Sequence, residues 1–153
     1  MNIIKGGTEA EGLRLGIVVS RFNEEITKRL LDGAMKACKD HNVDESLCKV
    51  VSVPGAFEIP GAAKRLASTG AFDAIVCIGA VIRGETEHFT FVCDAAARGI
   101  LEVGLQFGLP VTFGVLTTQD ADQALERAGG EWGNKGYDVT VDAIEMANLY
   151  KLL

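Results

Sequence analysis

Apolar runs alternate with segments whose apolar residues recur at helical spacing, and this alternation predicts the fold class. The runs cover residues 13–20, 49–53, 74–82 and 111–116. Such runs, without polar alternation, are typical of parallel strands covered on both faces. We therefore predict an α/β protein with a central four-stranded parallel sheet between two layers of helices, joined by right-handed crossovers. We expect a further short strand at residues 2–4.

Polar residues at the ends of the helical segments predict where the helices begin and end. Asn23 is predicted to be the N-cap of the first helix, and Asn42 to end that helix in a left-handed conformation. Thr117 followed by Asp120 resembles a capping box for a helix that runs to Arg127. The final helix is expected from about residue 134 to residue 150.

The stretch AIVCIGAVIRGETEH, residues 74–88, is the best candidate for chemistry. Its uncharged part predicts a buried strand that ends at Arg83. The polar turn that follows has residues suited to opening a helix, and His88 then falls in the first helical turn. Ligands of open α/β sheets bind outside the carboxyl ends of the strands, so this turn is predicted to border a site.

Three other segments are expected to meet that turn at one rim of the sheet. Phe22, residues 56–58 and Phe113 lie at or just past the carboxyl end of a predicted strand, as do residues 80–88. Four separate segments are therefore predicted to converge on the candidate site.

Individual residues at this rim permit more than one role. His88 beside a helix N-terminus is favoured as a neutral proton acceptor near an anion such as phosphate, although single histidines are often surface or core residues. Phe22 suits either the core or ring stacking, and Glu58 either a helix start or hydroxyl binding. Arg83 and Arg127 are candidate anion ligands or ordinary surface groups.

Composition narrows the class of protein. The chain of 153 residues fits a single domain, residues 1–153, and its net charge of −6 argues against nucleic-acid and anionic-membrane partners. Four cysteines without CxxC spacing and only two histidines make a zinc site unfavourable, so we expect reduced, packed thiols and no metal. The first residues lack the apolar core of a secretion signal, which predicts a cytoplasmic protein.

Familiar nucleotide and hydrolase motifs are absent from the sequence. Residues 129–136, GGEWGNKG, neither follow a strand nor end in GK[ST]. No GxGxxG follows a strand, and there is no GxSxG nucleophile elbow. The residues alone thus predict an α/β protein with an aromatic rim, one histidine and a helix start suited to phosphate, without naming a substrate.

The segments IVVSRFNEEIT, VPGAFEIP, AVIRGETEH, FGVLTT, ERAG, GNKG and AIEMANL occur here in order. In these motifs and their spacing the chain resembles the 6,7-dimethyl-8-ribityllumazine synthases, the penultimate enzymes of riboflavin biosynthesis, over essentially its whole length. The resemblance implies a flavodoxin-like three-layer α/β/α sandwich. It also implies a cofactor-free transferase that joins 5-amino-6-(D-ribitylamino)uracil to 3,4-dihydroxy-2-butanone 4-phosphate, releasing phosphate and water.

The resemblance assigns roles residue by residue, with active sites between neighbouring subunits of a homopentamer. His88 is implied as the proton shuttle. The phosphate of the butanone is implied to bind at Glu85 and Thr86, together with Arg127 of the adjacent subunit. The ribitylaminouracil is implied to bind at Phe22, Ala56, Phe57, Glu58, Ala80, Val81 and Ile82 of one subunit and at Phe113 and Lys135 of its neighbour.

Two departures and several further expectations accompany this resemblance. Glu85 stands where many relatives have a small residue, and Glu131-Trp132 replaces a more usual lysine-containing pair. The unchanged length of the turn before the last helix is compatible with an icosahedral shell of pentamers, with riboflavin synthase as a candidate partner. Residues 1–12 are expected to pack as a strand and arm on a neighbouring subunit. A flavodoxin-like electron carrier and a catalytically idle family member are the alternatives.

Overall fold

The computed structural model describes residues 1–153, and a parallel sheet of four strands forms its centre. The strands lie in the order β2-β1-β3-β4, so the two most apolar runs, β1 and β3, occupy the middle. Every neighbouring pair in this sheet is parallel, which confirms the predicted sheet. The strands are β1 Leu15–Ser20, β2 Cys48–Val53, β3 Ala74–Ile82 and β4 Val111–Thr118.

Five helices cover the two faces of the sheet and complete the predicted three-layer sandwich. Successive strand residues point to opposite faces, and so Val76 and Cys77 of β3 belong to different cores. One core packs the sheet against α1, α4 and α5, and the other packs it against α2 and α3. The helices are α1 Glu24–Asp40, α2 Ile59–Ser68, α3 His88–Phe107, α4 Ala121–Glu126 and α5 Lys135–Tyr150, and single 3-10 turns lie at Glu45–Leu47 and Ala56–Glu58.

A small antiparallel hairpin lies between α4 and α5, and the sequence did not predict it. Its strands are β5 Ala128–Gly130 and β6 Gly133–Asn134. Gly133 adopts a φ of 78°, which side chains disfavour. A Cβ on Gly130 would lie 2.7 Å from the Cα of Glu126, so the hairpin packs directly on α4.

Asn23 is the N-cap residue of α1 as predicted, the predicted cap at Thr117 is wrong, and the left-handed helix end at Asn42 is confirmed. Asn23 has a left-handed backbone (φ 60°) and makes no capping hydrogen bond, because its side chain reaches towards β3 instead. Thr117 lies inside β4, and Asp120 alone caps α4, its Oδ1 accepting from the backbone N–H of Gln123 at 2.8 Å. Asn42 has the predicted left-handed conformation, with φ 63°.

The N-terminal segment does not form the predicted short strand within this chain. Residues 1–10 form no strand within this chain, because both edges of the sheet lack a pairing with them. Residues 6–10 instead pack on the chain's own helices: Asn148 Nδ2 donates to the carbonyl of Gly7 at 2.8 Å, and the N–H of Ala10 donates to the carbonyl of His41 at 3.1 Å. Ile3 remains 80% exposed, so packing of the first residues on a neighbour stays a prediction.

Candidate active site

The candidate site begins where β3 extends beyond β1. The pairing of β1 with β3 stops at Val19 opposite Ile78, whereas β4 accompanies β3 as far as Ile82 opposite Thr118. Residues 79–82 therefore have no strand partner on the β1 side. Backbone N–H and C=O groups on that side need other partners, and a ligand can supply them.

A cavity of about 560 Å³ opens along this unpaired edge, which we call the strand-end pocket. It lies among the turns after β1 and β2, the end of β3 and the start of α3. The fold thereby brings together most of the predicted site residues. Those that line the pocket are Phe22, Ala56, Phe57, Glu58, Ala80, Val81, Ile82, Thr86 and His88.

The phenyl rings of Phe22 and Phe57 are open to solvent, which excludes the core role for Phe22 and leaves ring stacking as a prediction. They are 71% and 63% exposed, so neither belongs to the core. The N–H of Phe22 donates to the carbonyl of Pro54 at 3.0 Å, which ties the turn after β1 to the turn after β2. The ring faces are therefore held in place beside the unpaired edge of β3 and are free to stack on a planar ligand.

The side chain of Asn23 bonds to the edge of β3 beside this pocket, and the sequence did not predict that role. Its Nδ2 donates to the carbonyl of Ala80 at 2.9 Å and takes up one acceptor on the unpaired edge. Ala80 itself is only 3% exposed. The N–H of Arg83 donates to the carbonyl of Thr118, so alternate residues of β3, among them Val81, turn their backbone groups to β4. The main-chain groups left on the β1 side are therefore chiefly those of Ile82, which is half-buried.

The turn between β3 and α3 presents unpaired backbone donors. The N–H groups of Gly84, Glu85 and Thr86 make no backbone hydrogen bond, and the N–H of His88 makes only a long contact of 3.4 Å with Thr86 Oγ1. Together with the dipole of the 20-residue helix α3 these donors favour an anion. His88 is the first residue of α3 and is exposed, as predicted, and Glu85 borders the same turn.

Two further residues near the pocket explain its shape and charge. A Cβ on Gly55 would lie 3.1 Å from Glu58 Oε2, so the glycine leaves room for the carboxylate to fold over it. The only sequence signal for Gly55 is its place after Pro54.

The guanidinium of Arg83 lies 4.6 Å from the ring centre of Phe89, so a cation–π contact holds this arginine against α3.

Phe113, Arg127 and Lys135 line a second cavity of about 530 Å³, which we call the side pocket. The prediction that Phe113 lies at the strand-end rim is wrong. It is the third residue of β4 and stands opposite Cys77 in the middle of β3, because β4 starts opposite Ile75 and continues to Thr118. None of these three residues lines the strand-end pocket of the same chain.

Arg127 is the cation whose surroundings are best defined in the side pocket. Its Nη1 donates to the carbonyl of Gln123 at 3.0 Å and lies 3.7 Å from Glu126 Oε2. Its guanidinium carbon lies 5.6 Å from the ring centre of Trp132. The side pocket is thus polar and cationic, while the strand-end pocket is largely apolar and aromatic.

A three-layer α/β sandwich with a concave, aromatic pocket and a few convergent polar groups at its carboxyl strand ends has the form of an enzyme for a small organic substrate. The family model for 6,7-dimethyl-8-ribityllumazine synthase matches residues 12–151, and the chain belongs to that family. It is therefore a transferase of riboflavin biosynthesis. This finding decides against the electron-carrier alternative.

No helix of the chain combines the length and the apolarity needed to cross a bilayer.

Proposed function

We propose that the chain condenses 5-amino-6-(D-ribitylamino)uracil with 3,4-dihydroxy-2-butanone 4-phosphate in a composite site. One half of that site is the strand-end pocket of one copy, and the other half is the side pocket of a neighbouring copy. The observation that carries the proposal is the unpaired edge of β3 beside the open ring of Phe22. A flat heterocycle that stacks on that ring can hydrogen-bond to the edge in its own plane.

The strand-end pocket suits the ribitylaminouracil. Phe22 is assigned to stacking on the pyrimidine, the main chain of Ile82 to its polar edge, and Val81 to the pocket lining. Ala80 contributes the wall behind them. The ribityl chain carries hydroxyl groups, for which the backbone of Ala56 and Phe57 and the carboxylate of Glu58 are suited partners.

The turn before α3 suits the phosphate of the second substrate. Its unpaired N–H groups at Glu85 and Thr86 lie at the positive end of a long helix, where phosphate is favoured. The Glu85 side chain is exposed and adds a negative charge nearby, so the backbone rather than this side chain is the ligand. Arg127 of the neighbouring copy is assigned to the remaining phosphate oxygens.

His88 is assigned to proton transfer between the two substrates. The amine of the uracil attacks the ketone carbonyl, and the imine forms with loss of water. Phosphate then leaves by elimination, and the second amine closes the ring with loss of another water. Loss of phosphate removes a proton from C3 of the butanone, and the enol that results becomes the ketone on which the second amine closes the ring. The other steps move protons at nitrogen or oxygen, and a single general acid–base can serve them all. Holding both reactants together accounts for the rest of the acceleration.

Apolar side chains on the outer face of α3 support an assembly of several copies. Phe91, Leu101 and Leu105 of this helix are 70%, 61% and 74% exposed. An apolar stripe on a helix is stable when another surface covers it. We propose a homopentamer in which Phe113 and Lys135 of one copy complete the uracil site of the next. The icosahedral shell, riboflavin synthase as a partner and a cytoplasmic location stay predictions.

Mixing two inactive variants tests the composite site. His88→Ala disables the strand-end pocket and Arg127→Ala the side pocket, and the two chains are refolded together from denaturant. In a randomly mixed ring about a quarter of the sites combine two unaltered halves, so lumazine absorbance should reappear. The assays use a low concentration of butanone phosphate, at which the raised KM of the Arg127→Ala chain keeps its own rate of lumazine formation low.

The matched control mixes His88→Ala with Phe22→Ala. Both changes lie in the strand-end pocket, so no unaltered site can form and the mixture should show no more than the average activity of the two variants. Absence of recovery in the His88→Ala and Arg127→Ala mixture would refute the composite site. Absence of lumazine from the unaltered chain would instead favour the catalytically idle alternative.

A further inference from the structure

The hairpin between α4 and α5 fixes its tip relative to Arg127. Gly130 pairs with Gly133, which leaves Glu131 and Trp132 as a two-residue loop. The N–H of Trp132 donates to the carbonyl of Glu126 at 2.9 Å, and the N–H of Lys135 donates to the carbonyl of Arg127 at 2.8 Å. These bonds attach both sides of the hairpin to the end of α4.

The indole ring of Trp132 is exposed, yet it lies beside the guanidinium of Arg127 in the side pocket. It is 67% exposed and therefore contributes little to the core. It lines the side pocket together with Phe113 and Lys135. The guanidinium of Arg127 lies 5.6 Å from the ring centre, within the distance of about 6 Å at which an aromatic face attracts a cation.

Arg127 has a second, competing partner in the carboxylate of its neighbour Glu126. Glu126 Oε2 lies 3.7 Å from Arg127 Nη1, and both side chains are partly exposed, at 45% and 39%. An exposed arginine also has many rotamers, and immobilising it costs binding free energy when a ligand arrives. A rigid aromatic face on a fixed hairpin reduces that cost.

We propose that Trp132 is a positioning residue for Arg127, whose guanidinium it holds in the orientation that receives the phosphate of the ketone substrate. The proposal rests on the proposed function, because that function assigns Arg127 to the phosphate. It also gives a role to the Glu131-Trp132 pair, one of the two positions at which this sequence departs from the family pattern.

Steady-state kinetics separate positioning from general structural damage. Trp132→Leu removes the aromatic face, and the KM for the butanone phosphate should rise about two- to five-fold, as expected for an exposed cation–π contact. Neither kcat nor the KM for the uracil substrate should change. Trp132→Phe, the matched control, keeps a ring and should restore most of the loss.

A double variant tests whether Trp132 acts through Arg127. Arg127→Ala should raise the same KM further, and adding Trp132→Leu to it should change nothing more, because the ring then has no cation to hold. Full addition of the two effects would show that Trp132 acts in some other way. A Trp132→Leu chain with the unaltered KM would also overturn the proposal.

Fluorescence gives a readout that needs no turnover, since Trp132 is the only tryptophan of the chain. Inorganic phosphate should change the emission of the unaltered protein, because it binds the guanidinium that lies beside the indole ring. The change should vanish in Arg127→Ala. Emission that stays constant up to saturating phosphate would overturn the proposal. Failure to form lumazine would refute the proposed function and leave this test of the Trp132–Arg127 pair intact.

Discussion

The two ends of the parallel sheet differ in how completely they are closed. At the amino end, Leu15 pairs with both Cys48 and Ala74, so the central strands start level. Leu13 and Ala74 are fully buried there. At the carboxyl end, β1 stops pairing while β3 and β4 continue side by side to Ile82 and Thr118.

Side chains strengthen this difference. Arg14 and Asp73 precede β1 and β3 and bind each other at the amino end, where the Arg14 N–H donates to Asp73 Oδ2 at 2.8 Å and the guanidinium to Oδ1 at 3.1 Å. At the carboxyl end, Phe22 and Phe57 leave their rings exposed. The comparison teaches that the amino end serves stability and that ligand binding is possible where the strand pairing stops.

The largest effect should come from His88→Ala at the carboxyl end. Loss of a general acid–base lowers turnover by about 10²- to 10⁴-fold, while the KM values change little because both substrates are still held together. Stopped-flow or steady-state absorbance of the lumazine measures this. Because His88 is exposed, the unfolding midpoint should stay the same, and loss of activity accompanied by dissociation or unfolding would contradict the assignment.

Phe22→Ala should have the next largest effect. Stacking of a base on an aromatic ring is worth about 1–3 kcal/mol by alanine substitution, so the KM for the uracil substrate should rise by about 5- to 150-fold. The KM for the butanone phosphate is the internal control and should stay unchanged. Phe22→Tyr keeps the ring face and should retain most of the affinity. An equal rise of both KM values would argue against a stacking role.

The smallest effect is expected at the amino end from Asp73→Asn. Partial burial alone would raise the pKa of the Asp73 carboxyl, but the hydrogen bonds and the charge of Arg14 hold this pKa below its usual value. A lowered pKa in the folded state stabilises the protein above the ordinary aspartate value, about pH 3.9, and this stabilisation is lost as the pH falls through the folded pKa.

Urea midpoints of Asp73→Asn and the unaltered chain should therefore differ slightly at pH 7 and converge in acid. Both are compared at one protein concentration, since assembly affects the midpoint. Lumazine formation at pH 7 should be the same in the two proteins. A difference in midpoint that persists in acid would show that Asp73→Asn destabilises the protein for a reason other than the lost charge.

Much of the fold and of the site was predictable because the signals are local or lie in one run. The apolar runs predicted all four parallel strands, and the turn after Ile82 correctly predicted that His88 opens a helix. Several motifs at their spacing indicated the family, which the match over residues 12–151 confirms. These features depend on residue type and short-range periodicity, which the sequence displays directly.

Other features depended on contacts between distant parts of the chain. Asn23 carries a cap-forming residue type, yet its side chain bonds to Ala80, 57 positions further along. Phe113 lies beside the side pocket because of the register of β4 on β3, and the hairpin exists because Gly130 packs on α4. Strand register and side-chain direction follow from pairing and packing across the whole molecule, so only the tertiary structure decided them.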